Sequence, residues 1–478
     1  MSTDLTDRTD LTGLDATTTT VADQQASSRR AEDLRERCTA AVSLPGDAEY
    51  DAARAAWNAA IDQRPAAVAV PTDAAQVAEI VRAAAAVGLR VAPQGTGHNA
   101  GPLGALDDVV LLRTSAMRRV WIDPVAPRAR VEAGALWLDV VDAAAHYGLA
   151  ALHGSAPDVG VVGYTLGGGM GWLARAHGLA AHHLISADLV LADGSTVHVD
   201  ATHEPELFWA LRGGGGNVGV VVGLEFDLFR VRDAYAGMLV WDWSRAAEVL
   251  ERWVAWTGDA PDAVTTSFRI LQLPPLPELP APIRGRQLVV IDGAVVGTDD
   301  ATASDLIAGL RDLLPEIDTF TRVPAASLVR LHMDPEGPTP FVSSSAVVRE
   351  LPSAGQDALL AATGPGSGSG LFMVELRQLG GALARPAAGG GVLDRLDGDF
   401  VLFAGTVAMT PEIGAAGRRE SNELVAGMGP WLNGREYLNF AESQVETSAG
   451  FTPEAHARLV RARATADPAA ILRPNHQA

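Results

Sequence analysis

The chain has 478 residues, more than one hydrophobic core usually holds, so two domains are expected. Its formal net charge of −21 argues against nucleic acid or an anionic membrane surface as a partner. The sequence has no lysine, which excludes a Schiff-base lysine, pyridoxal-phosphate catalysis and the lysine of a P-loop. A single cysteine, Cys38, excludes an internal disulfide, a cysteine zinc site and an iron–sulfur cluster.

The N-terminal residues 1–47 are rich in Thr, Asp, Ser and Ala, and this composition predicts a disordered leader. Arg29 and Arg30 are not followed by an apolar segment, so no signal peptide is expected. The sequence contains no run of about 18 apolar residues, so no transmembrane helix is predicted. We therefore expect a cytoplasmic protein without a membrane partner.

The first orderly stretch predicts a strand–helix–strand unit over residues 64–93. Its helix, "TDAAQVAEIVRAAAAVG", begins near Thr72 or Asp73 and ends at Gly88. The second strand runs directly into "QGTGHNAG", where one histidine, His98, stands among glycines. Ligands tend to bind at such strand ends in α/β layers. His98 therefore fits a ligand, a base, a covalent attachment point or a plain turn residue.

A second glycine cluster fills residues 154–179. It follows strands predicted at 109–112 and 128–134 and a helix predicted at 136–147. Its "GMGWLA" matches the dinucleotide fingerprint, with Asp188 about 20 positions on. However, no strand precedes the match, and a plain glycine-rich loop is a second alternative. The favoured interpretation is a loop whose bare amides cradle a pyrophosphate.

The third glycine cluster, "LRGGGGNVGVV", follows a hairpin over 186–199 and a short helix over 206–212, and enters a strand over 218–229. Three such clusters beside strands indicate one extended ligand threaded between loops, and FAD suits this pattern. His182, His183 and His203 lie in the same region. Their spacing does not support metal ligation, so no metal site is predicted.

A second α+β unit is predicted from residue 233 onward. Helices are expected at 246–257 and 302–314, and strands near 264–272, 286–296, 370–379 and 399–409. Four aromatic residues in this unit are candidates for a substrate pocket, although core packing accounts for any one of them equally well: Trp241, Trp243, Phe372 and Phe403.

The last motif is "REYLNFAES", in which Tyr437 and Asn439 lie two residues apart. On a strand the two side chains would share a face, which would let the amide orient the phenol. A phenol base near neutral pH needs its phenolate stabilised, and Arg377 is a candidate source of positive charge. Packing of a buried tyrosine is the alternative.

Together these stretches resemble the berberine bridge enzyme-like FAD-linked oxidases of the vanillyl-alcohol oxidase / p-cresol methylhydroxylase (PCMH) superfamily. The motifs are "QGTGHNAG", "GSAPDVGVVGYTLGGGMG", "LFWALRGGGGNVGVVV", and the closing "YLN" and "DPAAILRPN". The resemblance implies covalent FAD on His98 through the flavin 8α-methyl group. Ala156 stands where many members carry a second, cysteine linkage, so a second bond is excluded. Tyr164 stands where many relatives have histidine.

The resemblance implies an α+β, two-domain PCMH-type fold. Residues 48–232 and 431–478 would form the FAD domain, and residues 233–430 a substrate domain. Arg377, Trp241 and Phe403 would face the substrate, and Tyr437 and Asn439 would be catalytic as well as close to the cofactor. The implied cofactor residues are Pro93, Gln94, Gly95, Thr96, Gly97, His98, Asn99, Ser155, Pro157, Asp158, Val159, Gly160, Gly163, Tyr164, Gly167, Gly168, Gly169, Gly171, Gly178, Leu179, Gly216, Asn217, Gly219, Val220, Tyr437, Asn439 and Asn475.

The implied activity is an FAD-dependent oxidase that removes hydride from a carbon next to a hydroxyl or amine. Its small-molecule substrate would be a carbohydrate or a secondary metabolite, and molecular oxygen would reoxidise the flavin and give hydrogen peroxide. Two alternatives remain open at this point. One is a flavin-binding, non-redox cyclase with the same fold, and the other is a nicotinamide-dependent dehydrogenase.

Overall fold

A computed structural model describes residues 21–277 and 279–478. Three β-sheets organise the chain, with helices packed on their faces, and the predicted α+β class is confirmed. Short 3₁₀ helices connect the larger elements, at Gly101–Leu103, Thr114–Ala116, Ala180–His183, Trp243–Arg245, Ala325–Arg330, Gly381–Ala384, Gly429–Trp431, Leu438–Phe440 and Thr447–Gly450.

The first sheet has four strands in the order β1-β2-β4-β3, and β4 runs parallel to both β2 and β3. Asp73 caps the helix between β2 and β3 by accepting from the Gln76 amide, and Gly88 ends it with a φ of +76°. The elements are β1 (Ala41–Ser43), β2 (Ala67–Val70), β3 (Arg90–Gln94), β4 (Val109–Arg113), α1 (Val21–Glu36), α2 (Tyr50–Arg54) and α3 (Ala74–Val87).

Helix α1 corrects the predicted leader 1–47. Its side chains Ala31 and Leu34 are buried in the core that α3 shares with the first sheet, and Cys38 packs at the edge of that core. The helix has few apolar residues, but they lie three apart on one face, which is enough to dock it. The part of the predicted leader before residue 21 lies outside the described residues.

The second sheet is antiparallel and has five strands in the order β5-β6-β9-β7-β8. Its predicted hairpin is β7–β8, and Gly194 in the turn has a φ of +76°. The elements are β5 (Val120–Asp123), β6 (Arg128–Glu132), β7 (Leu184–Val190), β8 (Thr196–Asp200), β9 (Val220–Asp227), α4 (Trp137–Ala145), α5 (Val161–Leu166), α6 (Ala174–His177) and α7 (Pro205–Leu211).

The third sheet is antiparallel, with seven strands in the order β13-β10-β12-β11-β16-β17-β15 and β14 paired to β10. One face carries a core shared with the helices. The elements are β10 (Asp233–Asp242), β11 (Val264–Gln272), β12 (Gln287–Val295), β13 (Ile317–Asp318), β14 (Thr321–Pro324), β15 (Phe341–Val348), β16 (Met373–Gln378), β17 (Phe400–Val407), α8 (Ala246–Asp259), α9 (Asp300–Arg311), α10 (Ser353–Thr363) and α11 (Pro411–Gly427). The last helix, α12 (Pro453–Ala466), packs instead against α7 beside the second sheet.

The C-terminal residues return to the first sheet. The Val91 amide donates to the Ile471 carbonyl at 2.8 Å, and the Arg473 amide donates to the Val91 carbonyl at 2.8 Å. The Ala478 amide donates to Asn217 Oδ1 at 3.0 Å. β9 ends at Asp227 and β10 begins at Asp233, on either side of the boundary predicted after residue 232. The domain boundaries themselves stay predictions.

Within residues 21–277 and 279–478, no helix has the length and apolar character needed to cross a membrane. The cytoplasmic location stays a prediction. Over the same residues, no group of three or more His, Cys, Asp or Glu side chains is placed to hold a metal ion.

Candidate cofactor and active site

The loop after β3 presents His98 in a set of specific contacts. Thr96 Oγ1 lies 2.7 Å from His98 Nδ1, and the Trp57 ring stacks on the imidazole with 4.0 Å between centroids. Asp158 Oδ1 lies 3.5 Å from His98 Nε2. Burial would raise the pKa of Asp158, but hydrogen bonds from His98, Gly337 and Trp57 outweigh it and lower the pKa to about 2. His98 is therefore held on three sides rather than lying in a free turn.

The glycines of the predicted site fall into two groups. A Cβ at Gly163 or Gly216 would meet nothing within 4 Å, and one at Gly160 would only touch Thr96 at 3.8 Å. These positions border open space. Beside them, the buried hydroxyls of Tyr164 and Thr165 have no hydrogen-bond partner in the described part of the chain.

The second group of glycines is required by packing within the protein. A Cβ would collide with Asn439 at Gly167, with Tyr164 at Gly169 and with the His153 carbonyl at Gly171. Gly169 has a φ of +80°, which a residue with a side chain rarely adopts. The loop from 154 to 171 therefore lies tightly against the C-terminal segment on one side and leaves bare backbone on the other.

Three further predicted groups lie around the same loop. The Gln94 side chain donates to Gln63 and accepts from Arg113, so it is occupied within the protein and is not free to bind a ligand. Asn99 Nδ2 donates to the Leu438 carbonyl at 3.3 Å. Asn475 precedes His476, whose Nε2 lies 3.0 Å from that same carbonyl. The loop that carries His98 and Asn99 therefore meets the C-terminal segment at the Leu438 carbonyl.

Tyr437 is buried against the glycine-rich loop. Its phenol oxygen accepts from the Gly169 amide at 3.1 Å and from Asn439 Nδ2 at 3.3 Å. Asn439 Nδ2 also donates to the Tyr164 carbonyl at 2.9 Å. Two N–H groups aimed at one oxygen stabilise negative charge there. Burial nevertheless raises the pKa of Tyr437 to about 12, against the opposing influence of Asn439, the Gly169 amide and Arg377.

The predicted strand at "YLN" is wrong, because residues Leu438–Phe440 form a 3₁₀ helix and Tyr437 caps it. The two side chains still meet. In a 3₁₀ helix the chain turns every three residues, and Asn439 reaches back to the phenol of Tyr437 within this turn. The sequence therefore predicted the partners and not the backbone that joins them.

Arg377 projects from β16 toward this site. Its guanidinium lies over the Phe440 ring, 5.0 Å from the centroid, and NH2 donates to Ser155 Oγ at 3.3 Å. Phe403 lies on the same sheet face and packs on Phe440 with 5.3 Å between centroids. Phe440 in turn packs edge-on against Tyr437 at 5.1 Å. Arg377, Phe403 and Tyr437 thus surround Phe440.

Trp241 is a correction. Successive residues of β10 alternate between the two faces of the sheet, and Trp241 points to the helix-covered face, where it is 0% exposed. Its Nε1 donates to the Leu313 carbonyl at 3.0 Å. It is therefore a core residue and not part of a substrate pocket.

A buried charge network on the third sheet escaped the sequence analysis. Arg377 Nε donates to Glu375 at 2.7 Å, His332 Nδ1 lies 2.7 Å from Asp292, and Arg269 NH2 donates to Asp292 at 2.6 Å. His332 Nε2 lies 3.4 Å from Glu375 Oε1. The signal was present as charged residues inside otherwise apolar strands, one in "SFRILQ", one in "VVIDGAV" and two in "MVELRQ".

The network ends at the glycine-rich loop. Asp334 Oδ2 accepts from Ser155 Oγ at 2.7 Å, and the Trp172 ring lies 5.7 Å from His332. The carboxylates and cations balance, since Arg269, Arg377 and His332 face Asp292, Glu375 and Asp334. Burial and Arg269 would lower the pKa of His332, but the three carboxylates outweigh them and raise it to about 9.

The residues present fit FAD. Bare backbone at Gly160, Gly163 and Gly216 leaves room for a long ligand, and unpartnered buried hydroxyls offer it hydrogen bonds. A separate groove of about 910 Å³ lies between the start of α3 and the second sheet. It contains none of the predicted site residues, and its lining includes the surface ion pairs of Arg119 and Arg130, so it is not the cofactor site.

Sequence comparisons agree with a flavin site. Residues 65–200 match a protein family described as an FAD binding domain. The chain is 37% identical over 201 residues to (R)-6-hydroxynicotine oxidase of Paenarthrobacter nicotinovorans, covering 42% of this chain and 44% of that relative. It is 38% identical over 183 residues to glucooligosaccharide oxidase of Sarocladium strictum, covering 38% and 36%. The aligned region therefore spans less than half the length of these curated relatives.

Solved structures match over nearly the whole chain. Wild-type BBE-like 1 of Physcomitrella patens superposes with a TM-score of 0.78 at 21% identity, covering 92% of this chain and 97% of that one. The 6-hydroxy-D-nicotine oxidase of Arthrobacter nicotinovorans superposes with a TM-score of 0.79 at 25% identity, covering 92% and 98%. These likenesses confirm the expected fold.

Proposed function

From the FAD binding domain and the berberine bridge enzyme-like fold of this chain, we infer that it is an FAD-dependent oxidase. FAD would lie in the domain formed by 48–232 and 431–478, and 233–430 would bind substrate. Arg377 and Phe403 would be the substrate-facing residues. One observation carries the proposal: the phenol oxygen of Tyr437 accepts two N–H groups beside the open backbone of the glycine-rich loop.

When bound, FAD supplies a two-electron acceptor for hydride. The chain supplies the proton acceptor. Tyr437 takes the proton from a substrate hydroxyl or amine, while Asn439 and the Gly169 amide stabilise the phenolate. Arg377 contributes positive charge to the same site and lowers the pKa of the phenol, opposing burial.

The substrate is proposed to be a small molecule, a carbohydrate or a secondary metabolite. Glucooligosaccharide and 6-hydroxynicotine name the substrates of two relatives, so both a sugar and a nitrogen heterocycle are within reach of this fold. In this chain, Phe403 and Phe440 offer apolar ring faces next to the Arg377 guanidinium. Rings pack well on such a surface.

Molecular oxygen is the proposed acceptor from the reduced flavin. The experiment is to incubate the purified protein with a panel of sugars, alkaloids and phenolic glycosides and to measure hydrogen peroxide. Peroxide release with flavin bleaching before oxygen is admitted is expected. A protein that carries flavin but never bleaches would favour a non-redox cyclase, and one without flavin absorption would contradict the proposal.

We also propose that FAD is attached covalently, through His98 alone. Ala156 provides no thiol for a second bond, and Cys38 lies in the core beside α3. The protein is denatured with acid and centrifuged, and flavin fluorescence is measured in both fractions. Flavin should stay with the wild-type pellet and appear in the supernatant of His98→Ala.

A further inference from the structure

Trp57, His98 and Asp158 form a cluster that neither the glycine motifs nor the comparisons explain. The Trp57 ring lies parallel to the imidazole of His98, with an interplanar angle of 15°. Trp57 Nε1 donates to Asp158 Oδ2 at 2.6 Å, and the Gly337 amide donates to the same oxygen at 2.8 Å. The other oxygen, Oδ1, faces His98 Nε2 at 3.5 Å.

The contacts of Asp158 determine which nitrogen of His98 carries the proton. An ionised carboxylate only accepts hydrogen bonds, so a nitrogen facing it must be protonated. His98 Nε2 and Asp158 Oδ1 are both buried and have no other partner among the described residues. Nδ1 then carries no proton, and it accepts a hydrogen bond from the Thr96 hydroxyl at 2.7 Å.

We propose that Asp158, fixed by Trp57, is a positioning residue that keeps the His98 proton on Nε2 and leaves Nδ1 as the nucleophile for flavin attachment. The inference rests on the proposed attachment to His98. Thr96 places Nδ1 at the correct side, because the Thr96 side chain lies about 4 Å from where a Cβ would stand on Gly160, at the bare backbone.

The attachment step balances with oxygen as the oxidant. One C–H bond of the 8α-methyl group breaks and an Nδ1–C bond forms, while the imidazole gives up its Nε2 proton toward Asp158. The two electrons released in this way would pass through the flavin to molecular oxygen, and the two protons, one from the methyl group and one from His98 Nε2, would complete hydrogen peroxide. A neutral imidazole with a bare Nδ1 is the reactive form in this scheme.

The test compares the rate of attachment in full-length variants produced under riboflavin limitation. FAD is added in air, and acid-precipitated flavin and intact mass are followed with time. In Asp158→Asn, the side-chain oxygen stays with Trp57 and Gly337, so the amide N–H₂ must face Nε2. That arrangement moves the proton to Nδ1. We expect attachment to slow by about tenfold or more, while non-covalent FAD still binds.

Asp300→Asn is the matched control, because Asp300 pairs with Arg322 on the surface of the third sheet's helix layer, with 66% of its side chain exposed. It should attach flavin at the wild-type rate. Trp57→Phe keeps a ring over His98 and removes one donor to Asp158, so a smaller slowing is expected. If Asp158→Asn does not accumulate as folded protein, Trp57→Phe is the deciding variant. Slower flavin attachment in Trp57→Phe supports the inference, and attachment at the wild-type rate overturns it.

The two proposals fail in different ways. Attachment in Asp158→Asn at the wild-type rate would overturn the role of Asp158 and leave the linkage to His98 intact. Free flavin from the denatured wild-type protein would overturn the linkage and the role of Asp158 together. Peroxide release in that second case would still support the oxidase.

Discussion

At the scale of single residues, two opposing influences set the pKa of the Tyr437 phenol. Burial disfavours its ionised form, while the Gly169 amide, Asn439 and Arg377 favour it. With the pKa of Tyr437 near 12, the phenolate is a small fraction at neutral pH. That fraction grows about tenfold for each pH unit, as it does for any acid below its pKa.

The first prediction follows from this titration. With a substrate that bleaches the flavin, the anaerobic rate of flavin reduction should rise almost tenfold per pH unit between about pH 7.5 and 8.5. The window lies above the pKa of about 7 to which burial raises Glu442, and below that of His332, about 9. Stopped-flow absorbance measures the rate.

Tyr437→Phe should lower that rate by about 10²- to 10⁴-fold, remove its pH dependence and leave bound flavin unchanged. Phenylalanine fills the same space, so the loss reports on the oxygen atom. Tyr147→Phe is the matched control, since Tyr147 lies on the surface with 53% of the residue exposed. Unchanged reduction in Tyr437→Phe would remove the base role.

At the scale of elements, the third sheet carries opposite chemistry on its two faces. One face is the apolar core under the helices, and the other holds the network around His332 and Glu375. Buried carboxylates without partners would cost several kcal/mol each, so the cations must stay protonated for the sheet to pack. The network therefore couples the stability of the sheet to pH.

The second prediction concerns this coupling. The pKa of His332 is raised to about 9 in the folded chain, from about 6.5 when unfolded. Its stabilising contribution is complete below pH 6.5 and is lost as the pH rises through 9. The free energy of unfolding, from urea titrations, should fall over this range with a slope approaching about 1.4 kcal/mol per pH unit.

His332→Gln should lose that slope, because glutamine does not titrate. His203→Gln is the control, since His203 pairs with Asp200 on the surface and its side chain is 72% exposed. It should retain the wild-type slope. An equally steep slope in His332→Gln would assign the pH dependence to another group.

Some residues of the site lie in short sequence motifs, and others are brought together only when the strands of the third sheet pair. His98, the glycine loops and the Tyr437–Asn439 pair lie in short motifs, and the sequence predicted them. Arg269 and Asp292 come from the consecutive strands β11 and β12, whereas Glu375 comes from β16, much later in the chain. Their meeting depends on strand register, which the sequence alone does not specify.

Trp241 is a residue that the sequence analysis assigned to the site, although tertiary packing places it in the core. An aromatic residue in a strand faces one of two sides, and which side the helices cover is decided by tertiary packing. The sequence predicted strands at 264–272 and 399–409 well, but it left β13, β14 and β15 without a position. Helix α1 was missed because its apolar face is only a few residues wide.

At the scale of the whole molecule, Arg175 joins the helix after the glycine-rich loop to the third sheet. Its Nε donates to the Val264 carbonyl at 2.7 Å, its NH2 donates to the Ala260 carbonyl at 2.8 Å, and its NH1 donates to the Leu379 carbonyl. The side chain is buried, and burial lowers its pKa. The hydrogen bonds to these three carbonyls offset the free-energy cost of removing the guanidinium from water.

The third prediction is that Arg175→Met lowers the free energy of unfolding by about 2–4 kcal/mol, since the buried carbonyls of Val264 and Leu379 and the half-buried carbonyl of Ala260 lose this donor. Arg119→Met is the matched control. Arg119 pairs with Glu132 at the surface with 70% of its side chain exposed, so its loss should leave stability close to that of the wild type. Urea titrations monitored by tryptophan fluorescence compare the two, and equal losses would contradict the joining role.

Cys38, just beyond the end of α1, also makes the opening of this segment measurable. Burial, with the negative charge of Glu79, raises the pKa of the Cys38 thiol to about 11, so it reacts slowly while the helix is docked. With no other thiol in the chain, iodoacetamide modifies one site only. The alkylation rate at neutral pH therefore measures how often the segment around Cys38 opens away from the core of the first sheet, in wild-type protein without any engineered label.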